Sequence, residues 1–384
     1  MTMRQSFWLA ISLLQFSVSI FSAPAQSAKP VVTGYVFAAG QLLQPGQIQV
    51  QGISRFNYAF AKIRDGRMVE GSPNDAANLA QLDALRGEHS GVAVLVSVGG
   101  WAWSDGFSDA ALTRQSRAVF IDSVIAFLHR YDLDGVDVDW EYPGQPGAGH
   151  TFRPEDKHNF TLLLKELRER LDEESKQSHR RLFLTIAAGA TAEYLEHTEM
   201  GQVQKWVDAV NLMTYDYYSP ESDAVTGNHA PLLEDPIDPK HVSADASVRA
   251  FENAGVPANK ILLGIPFYGH LWEDVTDRGH GLFQPARPAA TRDIPYSAIP
   301  SWQEQGFARY WDSDSQVPYL YNASERQFLS YEDSESVAAK ARYARAKGLQ
   351  GVMFWNELND PSGELLRCID QALHNDTTRS TPAE

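Results

Sequence analysis

The sequence predicts an α/β fold, a closed (β/α)8 TIM barrel with a small α+β insertion domain between strand 7 and strand 8. Three observations carry this expectation. Eight short apolar, β-branched runs recur from Val31 onward. Longer stretches of helical period separate them, the pattern of repeated strand and helix units around a parallel sheet. Several of the runs are apolar on both faces, as a strand must be when helices cover its outside and packed side chains fill its inside.

Taken in order, the runs span 31–38, 53–61, 92–98, 133–140, 182–188, 209–215, 261–267 and 349–355. Helices are expected at about 75–86, 109–129, 154–172, 242–253 and 335–347. The last has Asp333 or Ser334 placed to cap its start and Gly348 to end it. A barrel of this kind carries its active site at the carboxyl ends of the strands. About 80 residues separate the seventh and eighth runs, and a structureless loop of that length is improbable inside a compact domain. Residues 271–330 are rich in Pro and aromatics, so they are assigned to an inserted subdomain on the catalytic face, with 30–270 and 331–375 forming the barrel.

The chain has 384 residues and a formal charge of −16. Such a surface repels phosphate backbones and anionic lipid, and no Lys/Arg-rich run offsets it, so nucleic acid and membrane partners are excluded. Residues 1–25 read as an export signal: Arg4 begins it, an apolar stretch from Phe7 to Phe21 follows, and Ala23-Pro24-Ala25 offers small residues for cleavage. A secreted protein, extracellular or periplasmic, is the expectation, and a monomer. Residues 376–384 are expected to be a disordered tail. Cys368 is the only cysteine, which excludes an internal disulfide and a cysteine-based zinc site.

The chemistry is concentrated in Asp134-Gly-Val-Asp137-Val-Asp139-Trp-Glu141-Tyr142-Pro. On a strand, residues 137, 139 and 141 point one way while Val138 and Trp140 point the other. With the apolar residues turned toward the helices, three carboxyls form a column inside the barrel, ending with Glu141 at its mouth. Burying adjacent carboxyls costs several kcal/mol unless they share protons or find donors, so a purely structural origin is a poor account of them. A calcium loop is excluded because Gly135 follows Asp132 and Asp134 one step too early. Three acids on one strand without histidine are a weak metal set. Crowded carboxyls instead hold one member protonated near neutral pH, as a general acid requires, and Glu141 is the natural proton donor.

The segment, written DxxDxDxE, resembles the signature of glycoside hydrolase family 18, the retaining chitinases. Ser97-Val-Gly-Gly100 resembles the family's SxGG, and Met213-Thr-Tyr215-Asp216 its MxYD. Gly264-Ile-Pro-Phe-Tyr-Gly269 resembles its seventh-strand block, and Trp355 the tryptophan that ends its eighth strand. Tyr310-Trp-Asp312 and Val317-Pro-Tyr-Leu-Tyr321 resemble the family's insertion domain.

The resemblance implies hydrolysis of β-1,4 links between N-acetylglucosamine units, in chitin or its oligosaccharides, by a substrate-assisted route needing no cofactor or metal. By position, Glu141 would be the acid and base, Asp139 would orient the acetamido nitrogen, and Asp137 would share a proton with Asp139. Tyr215 would hold the acetamido carbonyl, with Asp216 beside it. Trp355 is the expected sugar floor, and Tyr35, Phe60 and Trp101 are further wall candidates. Gly100, Met213 and Tyr142 complete the expected substrate-contacting set. Two departures stand out: His270 replaces an arginine common after the seventh-strand Tyr-Gly, and Tyr217-Tyr-Ser-Pro220 lacks a frequent glycine. A sugar-binding lectin on the same scaffold and an endo-N-acetylglucosaminidase acting on glycans are the alternatives. The presence of Glu141 with both aspartates favours hydrolysis over the lectin.

Overall fold

The computed structural model describes residues 29–374; the expected export segment and the tail beyond residue 375 lie outside the described residues. Eight parallel strands close on themselves: Val31–Phe37, Arg55–Arg64, Ala93–Gly99, Gly135–Asp139, Phe183–Gly189, Ala209–Met213, Ile261–Pro266 and Gly351–Trp355. The first pairs with both the second and the eighth, which seals the barrel. Each of the eight expected runs is thus a barrel strand. The second continues past the rim and pairs with a short antiparallel strand, Arg67–Val69.

The outside of strand four shows why the pattern was legible. Val136 and Val138 are fully buried, and Trp140 stacks on Phe107 with ring centroids 5.2 Å apart and meets Phe160 edge-on at 5.7 Å. Those two phenylalanines come from helices Phe107–Leu112 and Asp156–Ser178, so the apolar alternates pack outward and the acids are left to face in.

Helices Asp75–Glu88, Asp156–Ser178, Ala244–Asn253 and Ser334–Ala346 match expected positions. The single helix expected at 109–129 is two, Phe107–Leu112 and Arg114–Arg130. Thr113 divides them because its hydroxyl accepts from Ser116 N while Ser116 returns the bond, and a capping box of this kind requires an extended residue at its start. Asp333 makes the same arrangement with Ser336. Glu364–His374 is a helix absent from the expected set, although its buried Leu365, Leu366, Ile369 and Leu373 recur at helical period.

Between the seventh and eighth strands lies a second, five-stranded antiparallel sheet, ordered Arg287–Pro295, Tyr268–Glu273, Gln327–Ser330, Val317–Asn322 and Ala308–Asp312. Its first strand begins at Tyr268, ahead of residue 271, because the chain passes from Pro266 almost directly into it. Leu271, Ile294, Phe307, Leu320 and Leu329 give this sheet a core of its own. No helix among the described residues is long and apolar enough to cross a membrane.

Candidate active site

Parallel register puts the acids of strand four between specific neighbours. Asp137 lies opposite Ser97 on strand three and Thr185 on strand five, and Asp139 lies opposite Gly99. A side chain at Gly99 would collide with the Asp139 carbonyl oxygen, 2.1 Å from where its Cβ would stand, and its φ of +107° also requires glycine. Gly100 donates its N–H to the same carbonyl at 2.8 Å. It leaves room for the Phe60 ring, which a Cβ would approach to 2.6 Å.

Asp137 is fully buried, with each oxygen taken twice. Oδ2 accepts from the Tyr35 hydroxyl at 2.8 Å and from Ser97 Oγ at 2.8 Å; Oδ1 accepts from Thr185 Oγ1 at 2.5 Å and from Asn211 Nδ2 at 3.0 Å. Burial raises its pKa, and the hydroxyl donors with the Arg55 charge pull against that. Asp139, 4% exposed, is different: its Oδ1 is buried without a partner among the protein atoms. Burial first, then the charges of Glu141 and Asp137, push its pKa well above the ordinary carboxylate range.

Glu141 is 8% exposed, and its backbone N–H is held by Ser104 Oγ at 2.8 Å. Ser104 also lies within bonding distance of the Gly100 and Asp139 carbonyls. Burial lifts the Glu141 carboxyl to a pKa of about 7, with the Asp216 charge adding to the rise and the Tyr142 hydroxyl and Trp101 backbone opposing it. It is therefore substantially protonated at near-neutral pH, beside a second carboxyl that also resists ionisation.

The expected aromatic residues separate into two groups. Trp355 sits at the barrel mouth with Phe60 and Phe37 both 5.5 Å away and nearly parallel to it, and Trp103 packs edge-on to Phe60 at 5.8 Å. Trp101 is 49% exposed, its ring 6.4 Å from Tyr142, so both stand on the open side of Glu141. Tyr35 is 2% exposed, with its ring 5.8 Å from Trp355 and its hydroxyl donating to Asp137 and accepting from Asn211, so it positions Asp137 from below the floor tryptophan. Met213 lies beside Tyr35, Trp355 and Tyr215 in the same small cluster.

Tyr215 and Asp216 follow strand six directly. Tyr215 packs edge-on to Tyr268 at 6.3 Å, and burial, then the Asp216, Asp139 and Glu141 charges, push its phenol pKa up, so it stays a donor. Asp216 accepts from the Tyr268 hydroxyl at 2.6 Å and lies 2.8 Å from His270 Nε2. Burial would raise its pKa, but His229 and His270 outweigh this and hold it below the usual range. His270 is in turn raised to about 9, because the Asp216 and Asp293 carboxylates overcome its burial.

Several members of this site were not singled out in the sequence. Ser104, Thr185 and Asn211 hold the acids, and Asn211 shares the inward parity of Met213 and Tyr215, a signal available from alternation alone. His229, by contrast, lies in an irregular loop where no periodicity marks it. Asp134, the first acid of the motif, is at the opposite end of strand four, accepting from Val94 N and paired with Arg180 and Arg86.

Residues 31–360 match the family described as glycosyl hydrolases family 18. The chain is 39% identical over 308 residues to a protein named chitinase A1 from Niallia circulans, covering 74% of this chain but 43% of that relative's length. Among solved structures, one titled as a family 18 N-acetylglucosaminidase from Paenibacillus barengoltzii superposes with a TM-score of 0.83 at 38% identity, covering 90% of this chain and all of that one. A class V chitinase mutant from Nicotiana tobaccum in complex with NAG4 superposes at 0.81 and 28% identity, covering 90% and 99%. With its alternating acids held inside a closed eight-stranded barrel and that barrel matched almost throughout, this chain belongs to glycoside hydrolase family 18.

Proposed function

We propose that the protein hydrolyses β-1,4 links between N-acetylglucosamine units of chitin and its oligosaccharides, retaining configuration, with the substrate's own acetamido group as nucleophile. The observation that carries this reading is the contrast within one column of acids: Glu141 protonated at the mouth, and Asp139 beside it with a buried oxygen unclaimed. All three acids approach from one strand, so none stands across the sugar to attack it. The acetamido carbonyl oxygen would bond to the anomeric carbon as the bond to the leaving oxygen breaks, and Glu141 would give that oxygen its proton. The free oxygen of Asp139 would accept from the acetamido N–H, and Tyr215 would donate to the carbonyl. Water would then open the oxazolinium ion, returning its proton to Glu141 and the second oxygen to the same face.

Chromogenic chitobiose and chitotriose glycosides test the activity, and NMR of the first-formed sugar tests the route. The expected outcome is release of the chromophore with the β-anomer appearing first, and inhibition by a thiazoline analogue of the oxazolinium ion. An α-anomer first, or indifference to the thiazoline at millimolar concentration, would overturn the assisted mechanism. The likeness to an N-acetylglucosaminidase supports a second reading, removal of single sugars from chain ends. Product lengths from chitohexaose separate the two, since end-wise action gives the monosaccharide from the first time point. Export, inferred from Arg4, the apolar stretch and Ala23-Pro24-Ala25, predicts a protein recovered outside the cytoplasm whose N-terminal sequence begins at Gln26.

A further inference from the structure

Arg55 opens strand two inside the base of the barrel, with 4% of its surface exposed. Its register partners are Thr33 on strand one and Ala93 on strand three, and the next inward pair above it is Asn57 with Tyr35. The guanidinium carbon lies 4.9 Å from the centre of the Phe183 ring on strand five, and Phe183 pairs with Gly135, two residues before Asp137. The side chain therefore crosses the interior to the level beneath Asp137. We propose that Arg55 is a positioning residue for the hydrolysis: its charge, placed below the acid column, keeps Asp137 as the ionised member and leaves the proton with Asp139 and Glu141. This deepens the function proposed above and rests on it.

The geometry leaves that charge few other uses. Nε and Nη1 of Arg55 are buried without a hydrogen-bond partner among the protein atoms. Asp208, the other carboxylate whose charge acts on it, is already met by Arg181 Nη2 at 2.8 Å, Leu184 N at 2.9 Å and Arg168 Nη1 at 3.3 Å. Thr33, Asn57 and Leu95 beside it on strands one to three are neutral and fully buried, so bulk water does not screen its field. A buried cation without a contact partner costs stability, a cost that sites needing a fixed charge retain. Asp137 is faced by Tyr35, Ser97, Thr185 and Asn211 from strands one, three, five and six, with Asp139 and Glu141 above it on its own strand. Strands seven and eight add Leu262 and Met353 beside Tyr35, and Tyr215 stands above strand six. Against these groups Arg55 is the cation. Burial raises the Asp137 pKa and lowers that of Arg55, and in each case the partner's charge opposes the shift. For Asp139, burial and then the Glu141 and Asp137 charges all push the same way, upward.

Full-length protein with 13C-labelled aspartate carboxyls, its signals assigned through Asp137→Asn and Asp139→Asn, tests the charge relation by NMR without substrate. Asp137 is expected to ionise at lower pH than Asp139. Arg55→Met should raise the Asp137 midpoint by about half a pH unit or more, the scale of losing a unit charge several Å away, and Arg55→Lys should restore it. The acid limb of the kcat/KM profile on chitotriose glycosides should move up with it in Arg55→Met and return in Arg55→Lys, while kcat at the optimum falls only a few-fold. A role in packing alone would lower stability and leave that limb in place. Asp139 ionising before Asp137 in the parent, or an Asp137 midpoint and acid limb indifferent to Arg55→Met, overturns the proposal. A parent that titrates as described yet leaves the glycosides intact overturns the hydrolytic reading, and with it the positioning role, while the charge relation stands. Should Arg55→Met fail to fold, the order of ionisation in the parent and the profile of Arg55→Gln decide it.

Discussion

The lower and upper ends of the acid column in strand four are buried alike but provisioned differently. Asp137 has four donors for its two oxygens, drawn from strands one, three, five and six. Asp139, two residues on, has a buried oxygen with none, and Glu141 is held by its backbone. Fully satisfied polar groups rigidify a core, whereas an unsatisfied one stores free energy that a ligand can collect. On the proposed function the lower end would be scaffold and charge, and the upper end would be where substrate atoms complete the network.

The most damaging change predicted by this contrast is at the mouth. Glu141→Gln should lower kcat by about 10² to 10⁴-fold on chitotriose glycosides while oligosaccharide binding, measured by calorimetry, persists. Near-parental turnover would remove Glu141 from the role of acid. Asp139→Asn should cost about 10²-fold, the scale of losing one electrostatic partner of a transition state. The loss should be greater on substrates whose acetamido group participates than on poorer analogues, and an equal loss on both would break the distinction drawn for Asp139.

A stability measurement sharpens the same contrast without any substrate. Glu141 titrates at its ordinary value of 4.5 when unfolded and at about 7 in the folded chain. Its raised folded value means the protonated form is the one folding favours, so its contribution is fully present below pH 4.5 and is lost as pH rises through 7. Glu141→Gln carries no such dependence. The variant should therefore gain on the parent by on the order of 2 to 3 kcal/mol between pH 4.5 and pH 8 in chemical denaturation, or a few degrees in Tm. A parent and variant that track each other across that range would show the carboxyl to be ordinarily solvated.

What the sequence made legible follows from which forces act locally. Strand alternation is a period of two, so Val136, Val138 and Trp140 against Asp137, Asp139 and Glu141 announced both faces of strand four. Tyr35 shows what alternation leaves out, since a period of two gives the side of a strand and not the partners: its ring faces inward as expected, but the bond from its hydroxyl to Asp137, 102 residues away, has no local signal. The split at Thr113 turned on a reciprocal side-chain bond with Ser116, a four-residue signal overridden in a reading made by apolar period alone. His229 was illegible for a different reason. It is brought to Asp216 and His270 by Ser330, 101 residues away, and no local pattern encodes such a meeting.

The smallest effect expected is also the one that tests the lower end directly. Tyr35→Phe deletes a hydroxyl that donates to Asp137 Oδ2 and accepts from Asn211 Nδ2. Asp137 keeps Ser97, Thr185 and Asn211, so no oxygen is stripped, and Asn211 Nδ2 keeps Asp137 Oδ1. Loss of one buried bond with its partners otherwise satisfied should cost about 1 kcal/mol of unfolding free energy. Turnover should fall only a few-fold, because Asp139 and Glu141 stay in place, while the Asp137 pKa rises with one fewer donor. If Tyr35→Phe instead crippled turnover as severely as Asp139→Asn and left stability untouched, Asp137 would belong with the reacting groups, and the division of the column into scaffold below and chemistry above would fail.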